Sequence, residues 1–399
     1  MQKRRFLFNF AAVGGGAVYS DNCVNCLFYG NQSGPSWNKG GGAGYLGTYD
    51  NCRFFCNTNS YEWAEGGALG YATKVVGCTV VSNFSGYCGG GLCKCQNVSD
   101  CTISYNAAVG SHNARGGGAY GCGVVTNCTI VGNAAASFGF GLCDTGAYDS
   151  RFSFNGITHF AKDLKVCDFE KCTFVGSAIS GAGKVADCTI SGISNVTAIA
   201  DNSHYGSRTY YISYAFDSCQ LFRNTLITEC WITNVANQAA FYSTSTSVRL
   251  ENCTIAGNLF HYLMRGYNGD LSATYVNTVI AANTRSVQGA RGDVSGYESP
   301  NTYMTNCVAG IVELTPAAGI EWKDTWILGP NGSPRFVGTG DYPYTPKYSS
   351  PLRAHGLLLD WTTDDALDLA GKPRLRDGKV DIGAYQCWLD PIGAMLILR

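Results

Sequence analysis

The stretch Gly116-Gly117-Gly118-Ala119, followed eight residues later by Cys128-Thr129-Ile130-Val131-Gly132-Asn133, decides the fold because it recurs along the chain. The cysteine advances in steps of 26, 26, 23 and 27 residues, and the glycine pair in steps of 26, 25, 24 and 27. Two landmarks that advance together at a period of about 20 to 50 residues indicate a repeat architecture. The cysteines of the five regular blocks are Cys26, Cys52, Cys78, Cys101 and Cys128.

The run beside each cysteine has the pattern of a short strand with one buried face. In Cys128-Thr129-Ile130, for example, the cysteine and the isoleucine fall on one side and the threonine on the other. An asparagine such as Asn83 or Asn133 ends most runs, and asparagine tolerates the left-handed conformation of a sharp corner. Short strands joined by tight corners, with no helical period, predict an all-β parallel β-helix.

The repeat continues less regularly after the fifth block. Ser150 and Thr278 replace the cysteine in two of the later blocks. We expect about a dozen coils at this period, with the repeats in residues 1–308 and the last coils with an irregular cap in 309–399. The later cysteines that we assign to the same place are Cys172, Cys188, Cys219, Cys230, Cys253 and Cys307.

The twenty cysteines predict a stacked ladder more than a disulfide framework. Cysteines at one place in every coil stack inside a solenoid, where a reduced thiol acts as a small hydrophobic group. Cys93, Cys122 and Cys143 each follow a glycine block and predict a second, shorter ladder. Because no Cys/His set has zinc spacing, we predict no metal ligands.

The composition excludes some partners. The net charge is -1 and charged residues make up 14% of the chain, so no nucleic-acid partner is implied. No apolar stretch is long enough to span a membrane. We expect a monomer.

The first residues are already in phase with the repeat. Asn9-Phe10-Ala11-Ala12-Val13 leads into a glycine block just as Asn106-Ala107-Ala108-Val109 does. We therefore expect further coils before Met1, with the export signal there or lost, since none is seen in this chain.

The C-terminal part carries a more specific motif. It consists of Asp368-Leu369-Ala370-Gly371-Lys372-Pro373-Arg374 and, shortly after, Asp381-Ile382-Gly383-Ala384-Tyr385-Gln386. This resembles the closing motif of bacterial right-handed parallel β-helix proteins of the choice-of-anchor type, in the pectin-lyase-like superfamily. Gln386 stands where that family usually has Glu. We expect Arg374 and Asp381 to pair and seal the last coil.

The resemblance implies a right-handed winding and a secreted or cell-surface location. Lyases on this fold generally use Lys or Arg as the base beside a calcium site, so the resemblance leaves Ca²⁺ open as a cofactor. Members of the group are mostly uncharacterised, so the motif indicates a fold and no particular activity.

Residues suited to a polysaccharide groove cluster in later excursions from the repeat. Aromatic rings stack on apolar sugar faces, and Arg and His read the hydroxyl groups. The alternative is that these are ordinary exposed loops. The candidate substrate-binding residues are Trp231, Tyr210, His204, Arg208, His261, Tyr262, Arg265 and Tyr267.

Cleavage would need two carboxylates flanking one glycosidic bond. Glu229 and Glu251 lie near strand starts, where stacking of coils could bring them together. Such acids more often bond to backbone at a corner. The candidate catalytic residues are Glu229, Glu251, Asp201 and Asp270.

Two functions follow from these observations. The first is an exported carbohydrate-active protein that binds, and in a further step cleaves, a polysaccharide on the later coils, as a glycoside hydrolase or a lyase. The second is a surface adhesin or structural stalk without chemistry.

Overall fold

Strands of successive blocks pair in parallel, each with the same strand of the next block, in a computed structural model of the chain. The strand Thr79–Val81, for example, pairs with Arg53–Phe55 on one side and Thr102–Ser104 on the other. The described part of the chain contains strands, turns and bends and no helix. The structure describes residues 1–34, 40–110, 114–136, 141–143, 145–153, 155, 167–194, 196–202, 206–211, 214–232, 239–243, 247–260, 262–266, 272–285, 294–295, 301–310, 312–313, 320–329 and 331–388.

The chain divides into two units. The first comprises Met1–Lys184 and Ile190–Asp217, and the second comprises Val185–Thr189 and Ser218–Arg399. The strands Ala182–Ala186 and Thr189–Ser191 lie at the division. Both units are built from parallel strands, so the prediction of an all-β parallel β-solenoid is confirmed. The right-handed winding and the number of coils stay predictions.

The first unit has four parallel sheets. The strands that follow the ladder cysteines form what we call the ladder sheet: Arg5–Leu7, Leu27–Tyr29, Arg53–Phe55, Thr79–Val81, Thr102–Ser104, Thr129–Val131, Arg151–Ser153 and Thr173–Val175. The strands that precede the cysteines form the second sheet: Asn22–Val24, Thr48–Asp50, Lys74–Val76, Asn97–Ser99, Val124–Thr126, Gly146–Tyr148 and Cys167–Glu170.

Two-residue strands complete each coil of the first unit. The third sheet follows the ladder sheet: Phe10–Ala11, Gln32–Ser33, Thr58–Asn59, Phe84–Ser85, Ala107–Ala108 and Ala134–Ala135. The fourth sheet follows the glycine blocks: Val18–Tyr19, Gly44–Tyr45, Leu69–Gly70, Leu92–Cys93, Ala119–Tyr120 and Leu142–Cys143. Outside these sheets lie the parallel pair Ile179–Ser180 and Tyr214–Asp217 and the antiparallel pair Val196–Asn202 and Gly206–Tyr211.

The second unit repeats the plan with fewer regular coils. Its ladder-sheet strands are Leu226–Thr228, Thr254–Ala256, Val279–Ala281, Val308–Ala309 and Trp326–Ile327. Its second-sheet strands are Leu221–Arg223, Val248–Glu251, Ser272–Val276, Asn301–Thr305 and Ile320–Lys323. The shorter sheets comprise Trp231–Ile232, Leu259–Phe260, Thr284–Arg285, Ala239–Ser243, Tyr262–Gly266, Val294–Ser295 and Val312–Glu313.

The cysteine ladder is present and reduced. The backbone N–H of Cys52 points at the sulfur of Cys78, with 3.4 Å between nitrogen and sulfur, and the same contact recurs from Cys78 to Cys101. Ser150 takes the cysteine place, since its Oγ accepts the N–H of Cys128. Every described cysteine side chain is a thiol outside any disulfide, and all but Cys56 are buried.

The asparagines form a second ladder, and our assignment of the left-handed conformation to them was wrong. The Nδ2 of Asn83 donates to Oδ1 of Asn106 at 3.0 Å, and the same side chain accepts from Asn57. The left-handed residue is the one before, such as Ser82 at φ 55°. The preceding residue makes the bend, so the asparagine side chain is free to bind the neighbouring coils.

Three cysteine assignments also need correction. Cys230 occupies the asparagine place, because its N–H donates to Oδ1 of Asn258, while Thr225 occupies the cysteine place one coil before Cys253. Cys219 precedes the second-sheet strand Leu221–Arg223 and so lies outside the cysteine ladder. In the first unit the second, shorter cysteine ladder contains Cys95 and Cys122, whose side chains are hydrogen-bonded to each other. It continues to Thr145, whose hydroxyl accepts the N–H of Cys122, while Cys93 and Cys143 pair with Tyr120 between them.

The C-terminal region covers the outer face of the second unit's ladder sheet. Leu352 and Ile382 are buried against Val279, Ala281 and Val308, so this region packs against the strands of two successive coils. Arg374 and Asp381 interact electrostatically, but their hydrogen bonds go to backbone. Arg374 donates to the carbonyl of Gly383, and Asp381 accepts the N–H groups of Ala354 and Cys387.

Candidate functional site

Three tyrosines from successive coils line one side of the first unit, and we call them the tyrosine ladder. The ring centroids of Tyr19 and Tyr45 are 5.4 Å apart, and those of Tyr45 and Tyr71 are 5.5 Å apart. Tyr19 is 61% exposed, and the other two rings are half-buried. The ladder therefore presents a continuous aromatic strip to solvent.

A glycine explains how the third ring joins the strip. In the fourth sheet Tyr19 pairs with Tyr45, and Tyr45 pairs with Gly70, which has no side chain. The next residue, Tyr71, has a left-handed φ of 57°, and its ring packs beside Tyr45. Tyr71 therefore continues the strip, although it lies one residue after Gly70, the residue that pairs with Tyr45 in the sheet.

The ladder ends at a polar cluster of Glu65, Tyr71 and Lys94. The Nζ of Lys94 lies 2.7 Å from Oε1 of Glu65 and 3.0 Å from the hydroxyl oxygen of Tyr71. The hydroxyl of Tyr71 donates to Oε2 of Glu65. Only 13% of the Glu65 side chain is exposed. A carboxylate, an ammonium group and a phenol thus converge at one end of an aromatic strip.

The electrostatics of the cluster favour binding over proton abstraction. Burial and the hydrogen bond to Glu65 raise the pKa of Tyr71 above its ordinary value. Burial lowers the pKa of Lys94, but the hydrogen bonds to Glu65 and Tyr71 outweigh it and leave the pKa raised. Both groups keep their protons near neutral pH, so they act as hydrogen-bond donors and not as bases.

Two buried thiols lie behind Glu65. The sulfurs of Cys88 and Cys93 are 3.3 Å apart, and a carboxylate oxygen of Glu65 lies within 4.8 Å of both. Among the described residues this is the one such group of three potential metal ligands. Calcium prefers six to eight oxygen ligands, so a set with two thiols does not fit the calcium that the sequence left open.

Glu251, a predicted catalytic acid, lies between two arginines in the second unit. Its Oε2 is 2.9 Å from Nε of Arg223, and its Oε1 is 2.6 Å from Nε of Arg249. The side chain is 8% exposed, and Arg223 also lies over the ring of Trp361. A carboxylate held by two guanidinium groups is a structural ion-pair network.

Glu229, the other candidate acid whose side chain is described, follows the ladder-sheet strand Leu226–Thr228, whereas Glu251 ends a second-sheet strand. It is exposed and left-handed, with φ 54°, at the corner before Cys230. Ile227 pairs with Ile255, so Glu229 lies opposite Gly257, which is six residues along the chain from Glu251 and beyond the left-handed corner at Asn252. The two acids therefore extend from different sheets on either side of that corner. A glycosidase pair needs carboxyl groups about 5 to 9.5 Å apart.

The remaining predicted residues are divided between the units. Trp231 is 61% exposed and pairs with Leu259 in the second unit, where Tyr262 and Arg265 lie on another strand. The first unit's antiparallel pair carries Asp201, Arg208 and Tyr210, whose side chains lie outside the described part. Outside the described residues altogether are His204, His261, Tyr267 and Asp270.

The sequence analysis missed the tyrosine ladder although a signal was present. Tyr19, Tyr45 and Tyr71 recur at steps of 26 residues, which is the period of the cysteines in the same blocks. Glu65 and Cys88 are likewise one coil apart and pair directly. The predicted site residues lie mainly in irregular excursions, whereas the tyrosine ladder is in phase with the repeat.

Comparison with known proteins adds no assignment. No protein-family model matches the chain, and no curated protein matches it. Among the described residues, no helix is long and apolar enough to cross a membrane.

Proposed function

We propose that this protein is an exported polysaccharide-binding β-solenoid whose principal binding surface is the tyrosine ladder with its Glu65 cluster. The observation that carries the proposal is the stack of Tyr19, Tyr45 and Tyr71 at one coil per ring, ending at Glu65 and Lys94. A polymer of sugars presents apolar ring faces and hydroxyl groups at regular intervals. Regularly spaced aromatic rings with a charged polar end are chemically complementary to that pattern.

The expected resemblance to the choice-of-anchor group of pectin-lyase-like proteins is part of the same proposal. An exported or cell-surface location would bring the ladder into contact with extracellular glycans. The exposed ring of Trp231 offers a second, separate contact for sugar in the other unit. Cleavage stays a prediction, because Glu251 is held by two arginines and Glu229 lies at a corner beyond a strand of a different sheet.

The direct test is equilibrium binding to a panel of plant, algal and host polysaccharides, comparing the wild type with the double variant Tyr19→Ala, Tyr45→Ala. If each ring contributes about 0.5 to 1.5 kcal/mol, the double variant should weaken binding by roughly 5- to 150-fold. Tyr105→Asn is the matched control, since Tyr105 is 47% exposed elsewhere and asparagine tolerates its left-handed φ of 53°.

Two results would count against the proposal. Equal losses in the double variant and in Tyr105→Asn would remove the ladder from the binding surface. No binding to any polysaccharide, by protein shown to be folded, would favour the adhesin or stalk function. Reducing-end release, assayed on the same panel with and without added calcium, tests cleavage, and alanine at Glu229 and at Glu251 then tests their assignment.

A further inference from the structure

We propose that Glu65, Cys88 and Cys93 form a zinc site with three protein ligands and one open coordination position. This inference concerns groups that glycan binding leaves unexplained, namely two buried thiols in contact with each other and with a carboxylate. It contradicts the expectation from the sequence that the chain has no metal ligands.

The spacing of the sulfurs fits a shared metal ion better than a disulfide. Two thiolates at about 2.3 Å from a tetrahedral zinc ion are about 3.8 Å apart. The observed 3.3 Å needs the sulfurs to separate by ~0.5 Å. A disulfide at about 2.05 Å would need them to approach by ~1.3 Å.

The repeat brings the three ligands together. Glu65 and Cys88 are bridged side by side on neighbouring coils. The chain then turns through three glycines to Cys93, with Gly89 left-handed at φ 62°. A Cβ on Gly89 would lie 2.8 Å from the Cβ of Cys93, so the close approach of the turn to that cysteine requires glycine. The turn and the bridge thus fix the positions of the ligands without metal.

The ligand types select the ion. Thiolates favour zinc over calcium or magnesium, and a single carboxylate completes a mixed set of the kind found at zinc centres. The two cysteines are fully buried, and Lys94 contacts the same carboxylate. With two thiolates, one carboxylate, the Lys94 ammonium and a divalent ion, the buried charges sum to zero, which limits the desolvation cost.

Three ligands leave the fourth position of a tetrahedral ion for water or another small ligand. Lys94 competes with the metal for Oε1 of Glu65, because its Nζ lies 2.7 Å from that oxygen.

The test measures metal directly, so its result is independent of glycan binding. Reduced wild-type protein is titrated anaerobically with Co²⁺, whose thiolate charge-transfer absorption reports coordination by sulfur, and bound zinc is then measured by elemental mass spectrometry. We expect one equivalent per chain in the wild type and none in Cys88→Ser, Cys93→Ser. Glu65→Gln should weaken binding at least tenfold.

The matched control is Cys95→Ser, Cys122→Ser, which removes another pair of buried, neighbouring thiols that contact each other. It should bind metal as the wild type does, and circular dichroism checks that each variant has folded. Wild-type protein that binds no cobalt or zinc overturns the proposal. So does equal loss in the control pair, or peptide mapping of the protein before reduction that identifies a Cys88–Cys93 disulfide.

Discussion

At the scale of single residues, the solenoid is held by side chains that satisfy backbone groups at its corners. Asn83 accepts from the N–H and the Nδ2 of Asn57, and its own Nδ2 donates to the carbonyl of Phe54 and to Asn106. All of these groups are buried, and each would cost about 1 to 3 kcal/mol if left unpaired. The repeated asparagine is thus explained by hydrogen bonding.

The isosteric change Asn83→Asp tests this account. It removes the hydrogen bonds that Nδ2 donates and buries a carboxylate, so we expect the free energy of unfolding to fall by about 3 to 5 kcal/mol. Asn97→Asp is the control, since Asn97 is exposed and donates one bond, to the carbonyl of Thr73. Denaturant unfolding followed by circular dichroism measures both. Similar losses in the two variants would contradict the ladder.

The thiols of the cysteine ladder should be unreactive in the folded protein. For Cys78 and Cys101 the hydrogen bond with the next ladder cysteine lowers the pKa, while the hydrogen bond with the preceding ladder cysteine and burial raise it. The net result is a pKa of about 12 for both thiols, so the nucleophilic thiolate is scarce at pH 8.

Among the described cysteines, we therefore expect Cys56, which is exposed, to react first with a maleimide. Peptide mapping after brief labelling of the native protein at pH 8 gives the order of reaction. Cys56→Ser should remove most of the early signal. Early modification of Cys78 or Cys101 in native protein would show that the ladder opens readily.

At the scale of elements, a corner consists of one left-handed residue followed by the inward ladder residue. Asn51 has φ 48° and precedes Cys52, and Asn127 has φ 49° and precedes Cys128. Left-handed backbone costs about 1 to 2 kcal/mol for most residues and little for asparagine or glycine. This explains why asparagine, aspartate or glycine precedes most of the ladder cysteines, with Lys171 before Cys172 as an exception.

Asn51→Val should accordingly lower the free energy of unfolding by about 1 to 2 kcal/mol, whereas Asn51→Gly should be nearly neutral. Arg53→Val is the control, because Arg53 is exposed on the adjoining strand outside the left-handed region. Thermal unfolding of the three variants compares them. A valine at position 51 that is tolerated as well as glycine would contradict the assignment of the corner.

The C-terminal region depends on a buried cation. Burial lowers the pKa of Arg374 to about 10, which leaves it charged at neutral pH beside Asp368 and Asp381. Burial also raises the pKa of both carboxyl groups, and Arg374 opposes that rise. When the pKa of a carboxyl group is higher in the folded than in the unfolded protein, the free energy of unfolding falls as the pH rises through the folded-state pKa.

Arg374→Met removes the opposing cation, so both pKa values rise further. We expect a loss of several kcal/mol in the free energy of unfolding at pH 7 and a smaller loss at pH 4, where more of the two carboxyl groups is neutral. Lys379→Met, on an exposed lysine of the same region, is the control. A loss independent of pH would show that Arg374 acts through packing alone.

The sequence predicted those elements whose cause is local and repeated. The period predicted the parallel strands, and the shared place of the cysteines predicted their stacking, including the replacement by Ser150. The assignment of Cys230 to the cysteine ladder was wrong because the spacing between landmarks varies in the later coils. Cys230 stands where the regular coils have the ladder asparagine. The bonds of Arg374 depend on how an irregular segment packs on a sheet, which no local pattern specifies.

At the scale of the whole molecule, regular coils turn residues at equal spacing into continuous rows. Phe6, Phe28 and Phe54 stack inside the first unit with ring centroids 4.7 Å apart, and Tyr19, Tyr45 and Tyr71 form the corresponding row outside. The same register places Glu65 beside Cys88. The candidate site is therefore a product of the repeat, and its residues are recognised once the coils are aligned.

The most direct test of a glycan-binding tyrosine ladder is a crystal structure of the protein with an oligosaccharide of the polysaccharide that it binds best. We predict sugar rings within about 4 Å of Tyr19 and Tyr45, with a hydroxyl group bonded to Glu65 or Lys94. Sugar bound elsewhere, for example over Trp231 alone, or a ladder without sugar at saturating concentration would contradict the account.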